Sequence, residues 1–168
     1  QIDSPFNLYH NPRNLFVAGF IGSPSMNFMD AMLRKDPTGA LSVEGNGFNV
    51  TIPASNAKMY EHTADKPVIF GIRPEDIHDA EYLPANITPA YIDARVEVVE
   101  QMGNEMILYL DVAGKTLIAR TDPRTRAHAG NMLRVAFNMD NVHLFDKDTQ
   151  LSMAYAAKAT EAGQAVSA

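Results

Sequence analysis

A period-two alternation of apolar and polar residues is the feature that most constrains the fold of this chain. Phe48, Val50 and Ile52 alternate with Asn49 and Thr51. Because successive side chains of a β-strand point to opposite faces, this pattern predicts a strand with one face in a core. Two longer stretches repeat the pattern, with these residues predicted to face inward: Ile92, Ala94, Val96 and Val98 in the first, and Leu133, Val135, Phe137 and Met139 in the second.

Five further apolar runs are also predicted to be strands, namely residues 41–44, 68–73, 106–112, 115–120 and 142–145. Turn-forming residues lie between several of them, as in Gly45-Asn46-Gly47, Gly103-Asn104 and Ala113-Gly114. Eight short strands joined by tight turns predict a mainly β chain that forms a small antiparallel barrel or sandwich. One or two helical turns are predicted over residues 55–63.

Two short helices are predicted before the first strand. Ser4-Pro5 and Asn11-Pro12 each combine a preferred N-cap residue with proline at the first helical position. Over residues 12–21 an apolar stripe at helical spacing contains Leu15, Phe16, Gly19 and Phe20. We expect this stripe to pack on the body of the chain, and the alternative is a partner outside it.

Composition excludes several classes of function. The 168 residues carry a formal net charge of −6, so the overall field repels nucleic acid, and a nucleic-acid partner is not expected. The chain contains no cysteine, which excludes disulfide frameworks, thiolate nucleophiles and Cys-rich zinc sites. No apolar run reaches the ~20 residues that a membrane-spanning helix needs.

Motifs for catalysis or cofactor binding are weak. Gly114-Lys115-Thr116 ends like a phosphate-binding loop, but position 109 is Tyr where that motif requires Gly. The segment also joins two predicted strands, so a hairpin turn is the preferred interpretation. The five histidines are far apart in sequence and show no metal-ligand spacing, so no catalytic, cofactor or metal site is predicted.

Two polar segments interrupt the apolar pattern. In residues 71–77 an apolar strand runs directly into Arg73, Pro74 and two acidic residues, so Arg73 is expected at a strand end near carboxylates. This segment is interpreted as a structural corner or as a subunit contact. In residues 98–105 a strand breaks at Gly103-Asn104, and two glutamates flank the turn. Those glutamates could serve solubility or an interaction.

The stretches at 5–29, 71–77, 96–105 and 142–148 resemble the C-terminal regulatory region of the ATP-binding subunits of bacterial carbohydrate importers. In that family an N-terminal ATPase domain precedes a barrel of the oligonucleotide-binding (OB) type, also called TOBE. The resemblance implies that residues 1–29 are a linker and amphipathic helix leaving an ATPase domain, and residues 30–148 the regulatory barrel. Residues 149–168 lie outside the resemblance, and their Ala-rich, nearly uncharged composition predicts a flexible tail.

The resemblance also implies a function. The chain would be a non-catalytic regulatory and dimerisation domain, with ATP and Mg confined to the ATPase domain that this sequence lacks. Its expected partners are a second copy, its own ATPase domain, permease subunits and a regulatory protein, at the cytoplasmic side of the inner membrane. The implied contact residues are Gly71, Arg73, Pro74, Glu75, Glu100, Gly103, Asn104 and Glu105. The alternative is a module that senses a small oxyanion.

Overall fold

The computed structural model describes residues 3–157 of the chain. Among these residues the short α-helices are α1 (Pro5–His10), α2 (Leu15–Phe20) and α3 (Ala54–Ala57), and residues 153–157 are also helical. The strands of the described residues are β1 (Asn27–Lys35), β2 (Leu41–Gly45), β3 (Phe48–Thr51), β4 (Lys66–Ile72), β5 (Ile77–Asp79), β6 (Pro89–Gln101), β7 (Met106–Val112), β8 (Lys115–Thr121), β9 (Met132–Asn138) and β10 (His143–Asp146).

The strands form two five-stranded antiparallel sheets. The first has the order β10-β4-β1-β2-β3 and the second the order β5-β9-β6-β7-β8. Strand β1 also meets the edge strand β8 of the second sheet, through the side chain of Asn27. The mainly β, barrel-like fold predicted from the alternation is therefore confirmed.

One hydrophobic core fills the space between the sheets. Three aromatic rings from different strands meet there: Phe48 and Phe70 lie with ring centroids 5.4 Å apart, and Phe70 and Phe137 with centroids 5.9 Å apart. All three side chains are buried. Burying an aromatic side chain stabilises a fold by about 1.5–3 kcal/mol, so this cluster is a main link between the two sheets.

Two strands were missed by the sequence analysis. Strand β1 occupies the centre of the first sheet, and its buried positions alternate from Asn27 through Met29 and Ala31 to Leu33. The outward positions Phe28 and Met32 are also apolar, which hides the alternation. Strand β1 begins at Asn27 and so lies partly within the segment predicted as a linker. Strand β5 has three residues, too few to show a period.

The prediction that Val98 faces the core is wrong. The register of β6 against β7 shifts between Val96 and Val98, which is a β-bulge at Glu97. A bulge adds one residue to a strand, and the side chains after it exchange faces. Val98 is consequently exposed, whereas Val99 packs on the core.

The two N-terminal helices, α1 and α2, are confirmed, but their caps are confirmed only in part. Ser4 caps α1, and its Oγ accepts a 3.2 Å hydrogen bond from the Asn7 N–H. Helix α2 is capped by Asn14, whose Oδ1 accepts from the Val17 N–H at 2.9 Å. The predicted cap Asn11 instead ends α1.

The prediction that the apolar stripe of residues 12–21 packs on the body of the chain is wrong for its aromatic residues. Phe16 is 76% exposed and Phe20 is 74% exposed. The inward face of α2 is formed by Ala18, which is fully buried, and by the half-buried Leu15. Helix α2 therefore presents its two largest side chains to solvent.

The prediction of a flexible tail is wrong for residues 149–157, which pack on the rest of the chain. Residues 158–168 of the predicted tail lie outside the described residues. Leu151 forms an isolated β-bridge with Asn14, and the Ser152 N–H donates to the Arg13 carbonyl at 2.9 Å. Residues 153–157 are helical, and Met153 is buried in the core. The polypeptide after β10 thus returns to pack beside the N-terminal helices.

Candidate interaction surface

The predicted corner begins where β4 ends. After Ile72 the chain passes through Arg73 into a 3-10 turn, Pro74–Asp76, with Pro74 in its first turn. Proline fits there because its φ is fixed and the first amides of a helical turn need no internal acceptor. Gly71, Arg73 and Pro74 are buried, and only Glu75 of the predicted contact residues in this corner is partly exposed.

Arg73 points inward and holds the N-terminal helices. Its Nη1 donates to the Ile21 carbonyl at 2.7 Å, and its Nη2 donates to the Tyr9 carbonyl at 2.6 Å. The guanidinium carbon also lies 3.7 Å from the centre of the Tyr9 ring. With 3% of its surface exposed, Arg73 joins the corner to the C-terminal end of α1 and to the residue that follows α2. The corner was interpreted as a structural corner or as a subunit contact, and the contacts of Arg73 are those of a structural residue.

Asp76 is the buried acid of the corner. The Asn138 and Asn141 side-chain amides donate to its Oδ1 at 3.0 Å and 2.8 Å. Burial raises the pKa of Asp76, while these hydrogen bonds oppose the rise because they favour the carboxylate. Asn138 ends β9 and Asn141 lies between β9 and β10, so Asp76 ties the corner to that connection.

Gly71 is required by packing. A Cβ at this position would lie 2.7 Å from the Met26 Sδ and 3.1 Å from Phe145 Cε2. No real Cβ lies so close to a neighbour, so a larger residue would displace the side chains that cover it. The glycine thus has a structural role within the chain.

The predicted hairpin connects β6 and β7. Its loop is closed by a 2.9 Å hydrogen bond from the Met102 N–H to the Glu105 carbonyl. Gly103 has a φ of +87°, which suits glycine, whereas Asn104 does not adopt a positive φ. Glu100, Gly103 and Asn104 are exposed, and Glu105 is half-buried.

The two predicted segments meet at Arg120 of β8, which the sequence analysis missed. Its Nε lies 3.1 Å from the Glu105 Oε2, and its Nη2 donates to the Ser23 carbonyl at 2.9 Å. Burial raises the pKa of Glu75, and the positive charge of Arg120 opposes that rise, so Glu75 also lies within the field of this guanidinium. The sequence indicated only that Arg120 faces outward, through the alternation of residues 117–120, and did not indicate its contact with Glu105.

We call the accessible part of this region the corner–hairpin surface. It consists of Glu75, Glu100, Gly103, Asn104, Glu105 and Arg120. In the strand register Glu100 lies opposite Ile107, and Ile107 lies opposite Arg120, so the three form one row across β6, β7 and β8. Exposed Met102 adds an apolar side chain to the hairpin. Charges of both signs around apolar residues are typical of protein–protein contacts.

A cleft of about 320 Å³ lies behind the corner and is lined by His10, Arg73, Glu75, Asp76, Asp140 and His143 among others. Burial, helped by the nearby Arg73 and His10, lowers the pKa of His143 to about 4. His143 is therefore neutral at pH 7. Three carboxylates line the cleft, and the guanidinium of Arg73 is already bonded to carbonyls. This lining does not favour the oxyanion-sensing alternative.

The described part of the chain was also searched for a phosphate-binding loop, a metal site and a membrane-spanning helix. Gly114 lies in the two-residue turn between β7 and β8, with φ values of 49° at Ala113 and 86° at Gly114, so the predicted hairpin turn is confirmed. Within residues 3–157 no three His, Asp or Glu side chains converge to hold a metal ion. No helix among these residues has the length and apolar character needed to cross a bilayer.

Comparison with known families agrees with this architecture. The MalK OB fold domain matches residues 22–77, and the TOBE domain matches residues 70–145. The chain thus contains a MalK OB fold domain and a TOBE domain. The two matches overlap in the corner, between Phe70 and Ile77, and together cover all ten strands except the last residue of β10.

Relatives of this MalK-type domain include three import or uptake proteins. The osmoprotective compounds uptake ATP-binding protein of Synechocystis sp. is 40% identical over 91% of this chain. The oligosaccharides import ATP-binding protein of Bacillus subtilis is 39% identical over 90% of the chain. The trehalose/maltose import ATP-binding protein of Thermococcus litoralis is 37% identical over 89% of it. The chain spans only 40–41% of the length of these relatives.

A solved structure shares the fold. The cytoplasmic molybdate-binding protein ModG superposes with a TM-score of 0.52, covering 70% of this chain and 94% of its own, at 14% identity. At that identity the likeness concerns the OB-like barrel alone.

Proposed function

We propose that this chain is the non-catalytic regulatory and dimerisation domain of the ATP-binding subunit of a carbohydrate-type ABC importer. The observation that carries the proposal is the pair of domain matches that runs from residue 22 to 145, together with relatives named as ATP-binding proteins of sugar import. ATP and Mg would then be bound by a separate domain of the subunit, which would act with permease subunits at the cytoplasmic side of the inner membrane.

The corner–hairpin surface is the proposed contact with a second copy of the chain. Glu100 and Arg120 stand at the two ends of one cross-strand row, with Ile107 between them. A two-fold axis near Ile107 would place Glu100 of each copy opposite Arg120 of the other. Such a contact is polar and of moderate strength, which suits domains that stay together while their neighbours move. The same surface is available for a regulatory protein.

The buried corner residues do not form the contact themselves; these are Gly71, Arg73 and Pro74. They lie beneath the surface and hold its corner in place, so they would act on the contact through Glu75. This assignment favours Glu100 over Arg73 as the residue to substitute in a test of association, because replacing Arg73 would also release the N-terminal helices.

Sedimentation velocity over a concentration series tests the proposed contact. We expect the chain to self-associate and Glu100→Lys to shift association to higher concentration, because it reverses a charge in the row. Glu81→Lys is the matched control, since it makes the same change at an exposed position outside the surface. A chain that remains monomeric at the highest concentration, or equal effects of both substitutions, would contradict the dimer proposal.

A further inference from the structure

Two deeply buried side chains line the cleft behind the corner and keep a polar atom without a partner. Asp76 is 7% exposed and Tyr60 is 2% exposed. Both amides that bind Asp76, those of Asn138 and Asn141, donate to its Oδ1, and no described residue donates to its Oδ2. Polar groups buried to this extent are normally hydrogen-bonded. The free Oδ2 therefore indicates that the cleft receives a hydrogen-bond donor.

The Tyr60 hydroxyl is the second of these polar atoms. The Tyr60 ring belongs to the hydrophobic core, whereas its hydroxyl forms no hydrogen bond with a described residue. Desolvation raises the pKa of Tyr60 to about 12. The hydroxyl is not among the side-chain atoms of residues 3–157 that are both fully enclosed and unpartnered, so it is reached from the cleft. An unpaired buried hydroxyl costs stability, which favours a role toward a ligand.

The cleft carries an excess of negative charge. Glu75, Asp76 and Asp140 contribute three carboxylates, and among the described residues Arg73 is the one lysine or arginine in the lining. Its guanidinium already donates to two backbone carbonyls. With the histidines neutral, two negative charges are left over. Burial raises the pKa of Glu75, and the charge of Asp76 adds to that rise. A positive charge in the cleft would be attracted to both acids.

An organic cation suits this lining better than a metal ion does. Among the residues that the structure describes, no three acidic or histidine side chains converge as metal ligands. The cleft has a volume of about 320 Å³, within the range of pockets for small molecules. Its lining also includes apolar side chains, which a metal ion cannot use but a carbon chain can: Met59, Val142 and Ala154.

We propose that this cleft binds a small aliphatic dication, such as a diamine. The Oδ2 of Asp76 and the Tyr60 hydroxyl would accept hydrogen bonds from its ammonium groups. Glu75 and Asp140 would supply the remaining negative charge, and the carbon chain would lie on the apolar part of the lining. Hydrogen bonds between an ammonium group and a carboxylate are among the strongest in proteins. The inference is independent of the proposed function.

Isothermal titration calorimetry of the 168-residue chain with putrescine at pH 7 tests the site. We expect saturable binding of putrescine and none of butanediol, which has the same carbon chain but no charge. Asp76→Asn should weaken putrescine binding at least about tenfold, because it removes the buried charge. Asp93→Asn is the matched control, since it makes the same change at an exposed position of β6.

Tyr60→Phe provides a second test, which does not depend on the folding of the Asp76 variant. It removes an atom that has no partner within the described chain, so it should not lower the free energy of unfolding in chemical denaturation. The same substitution should weaken putrescine binding about threefold to tenfold. Tyr91→Phe, at an exposed tyrosine, should change neither quantity. A loss of stability with unchanged binding would show that the hydroxyl is structural and would overturn its role.

Three further outcomes would overturn the site. Without saturable binding of putrescine, water alone satisfies the polar atoms of the cleft. Equal binding of butanediol would show that the cleft recognises hydroxyl groups and not a cation. Putrescine binding that neither Asp76→Asn nor Tyr60→Phe weakens would lie elsewhere on the acidic surface. None of these results bears on the dimer contact, which sedimentation tests separately.

Discussion

The side chain of Asn27 pairs with the backbone of Ile118 in the way a neighbouring strand would. Its Nδ2 donates to the Ile118 carbonyl at 2.8 Å, and its Oδ1 accepts from the Ile118 N–H at 2.7 Å. Ile118 lies in the edge strand β8, and Asn27 begins the central strand β1 of the other sheet. One carboxamide therefore satisfies both backbone groups of Ile118 and joins the two sheets.

We expect Asn27→Ala to lower the free energy of unfolding by about 2–4 kcal/mol, because it leaves the N–H and carbonyl of Ile118 without partners. Chemical denaturation measures the loss. Asn49→Ala is the control, because Asn49 is exposed on β3. A loss no larger than that of the control would show that water replaces the carboxamide at this edge.

Arg73→Lys should destabilise the chain by about 1–3 kcal/mol, although it preserves the charge. A lysine ammonium cannot reproduce the planar fork that reaches the Tyr9 and Ile21 carbonyls while stacking on a ring. We expect the N-terminal helices to become more sensitive to limited proteolysis as well. Arg95→Lys, at an exposed arginine of β6, should change neither quantity. Equal proteolysis of both variants would contradict the assigned role of Arg73.

Two substitutions in α2 should have opposite consequences for stability. Phe16→Asp is expected to change the free energy of unfolding by no more than about 0.5 kcal/mol, because the side chain is exposed. Ala18→Asp should cost several kcal/mol, since it buries an unpaired carboxylate. Thermal denaturation of the two variants provides the comparison. A large loss from Phe16→Asp would mean that its ring is covered within the chain.

Stability should fall on acidification through His143. Its folded-state pKa is about 4. Because the unfolded pKa is about 6.5, the unfolded chain binds more protons as pH falls from about 6.5 to about 4, which costs up to about 3 kcal/mol. Burial raises the pKa of Asp76, which acts in the opposite direction, but that contribution is common to the compared variants.

The measurement for His143 is the difference in unfolding free energy between pH 7 and pH 5. We expect His143→Asn to reduce this difference and His128→Asn, at an exposed histidine, to leave it unchanged. An identical pH dependence in all three proteins would show that His143 titrates normally in the folded chain.

The 168-residue chain is expected not to bind ATP. No phosphate-binding loop is present in its sequence, and Gly114-Lys115-Thr116 lies at a hairpin between two strands. Isothermal titration calorimetry with MgATP should show no saturable heat. Saturable binding at micromolar concentration would contradict the non-catalytic assignment.

The sequence predicted strands well wherever only one face of a strand is apolar. Strand β3 shows this pattern, because its outward residues Asn49 and Thr51 are polar. The pattern failed for β1, whose outward positions include Phe28 and Met32, and at the bulge in β6, which exposes Val98. A bulge reverses the faces of a strand without changing its composition, so alternation alone cannot locate it.

The candidate surface was predictable only in part. The corner and hairpin could be selected from their sequences, but the burial of Arg73 depends on carbonyls 52 and 64 residues away in sequence. The meeting of Glu105 with Arg120 depends on the register between β7 and β8. Contacts between residues that are far apart in sequence form only when the chain folds, so no short stretch of sequence predicts them.

The return of residues 150–152 to the N-terminal helices has a mechanical consequence. Leu151 bridges Asn14, and Arg13 lies over the ring of Tyr155 at 4.4 Å. Both ends of the described chain are consequently fastened to each other as well as to the barrel. Because these contacts join the two ends, separating either one from the barrel would also break contacts of the other.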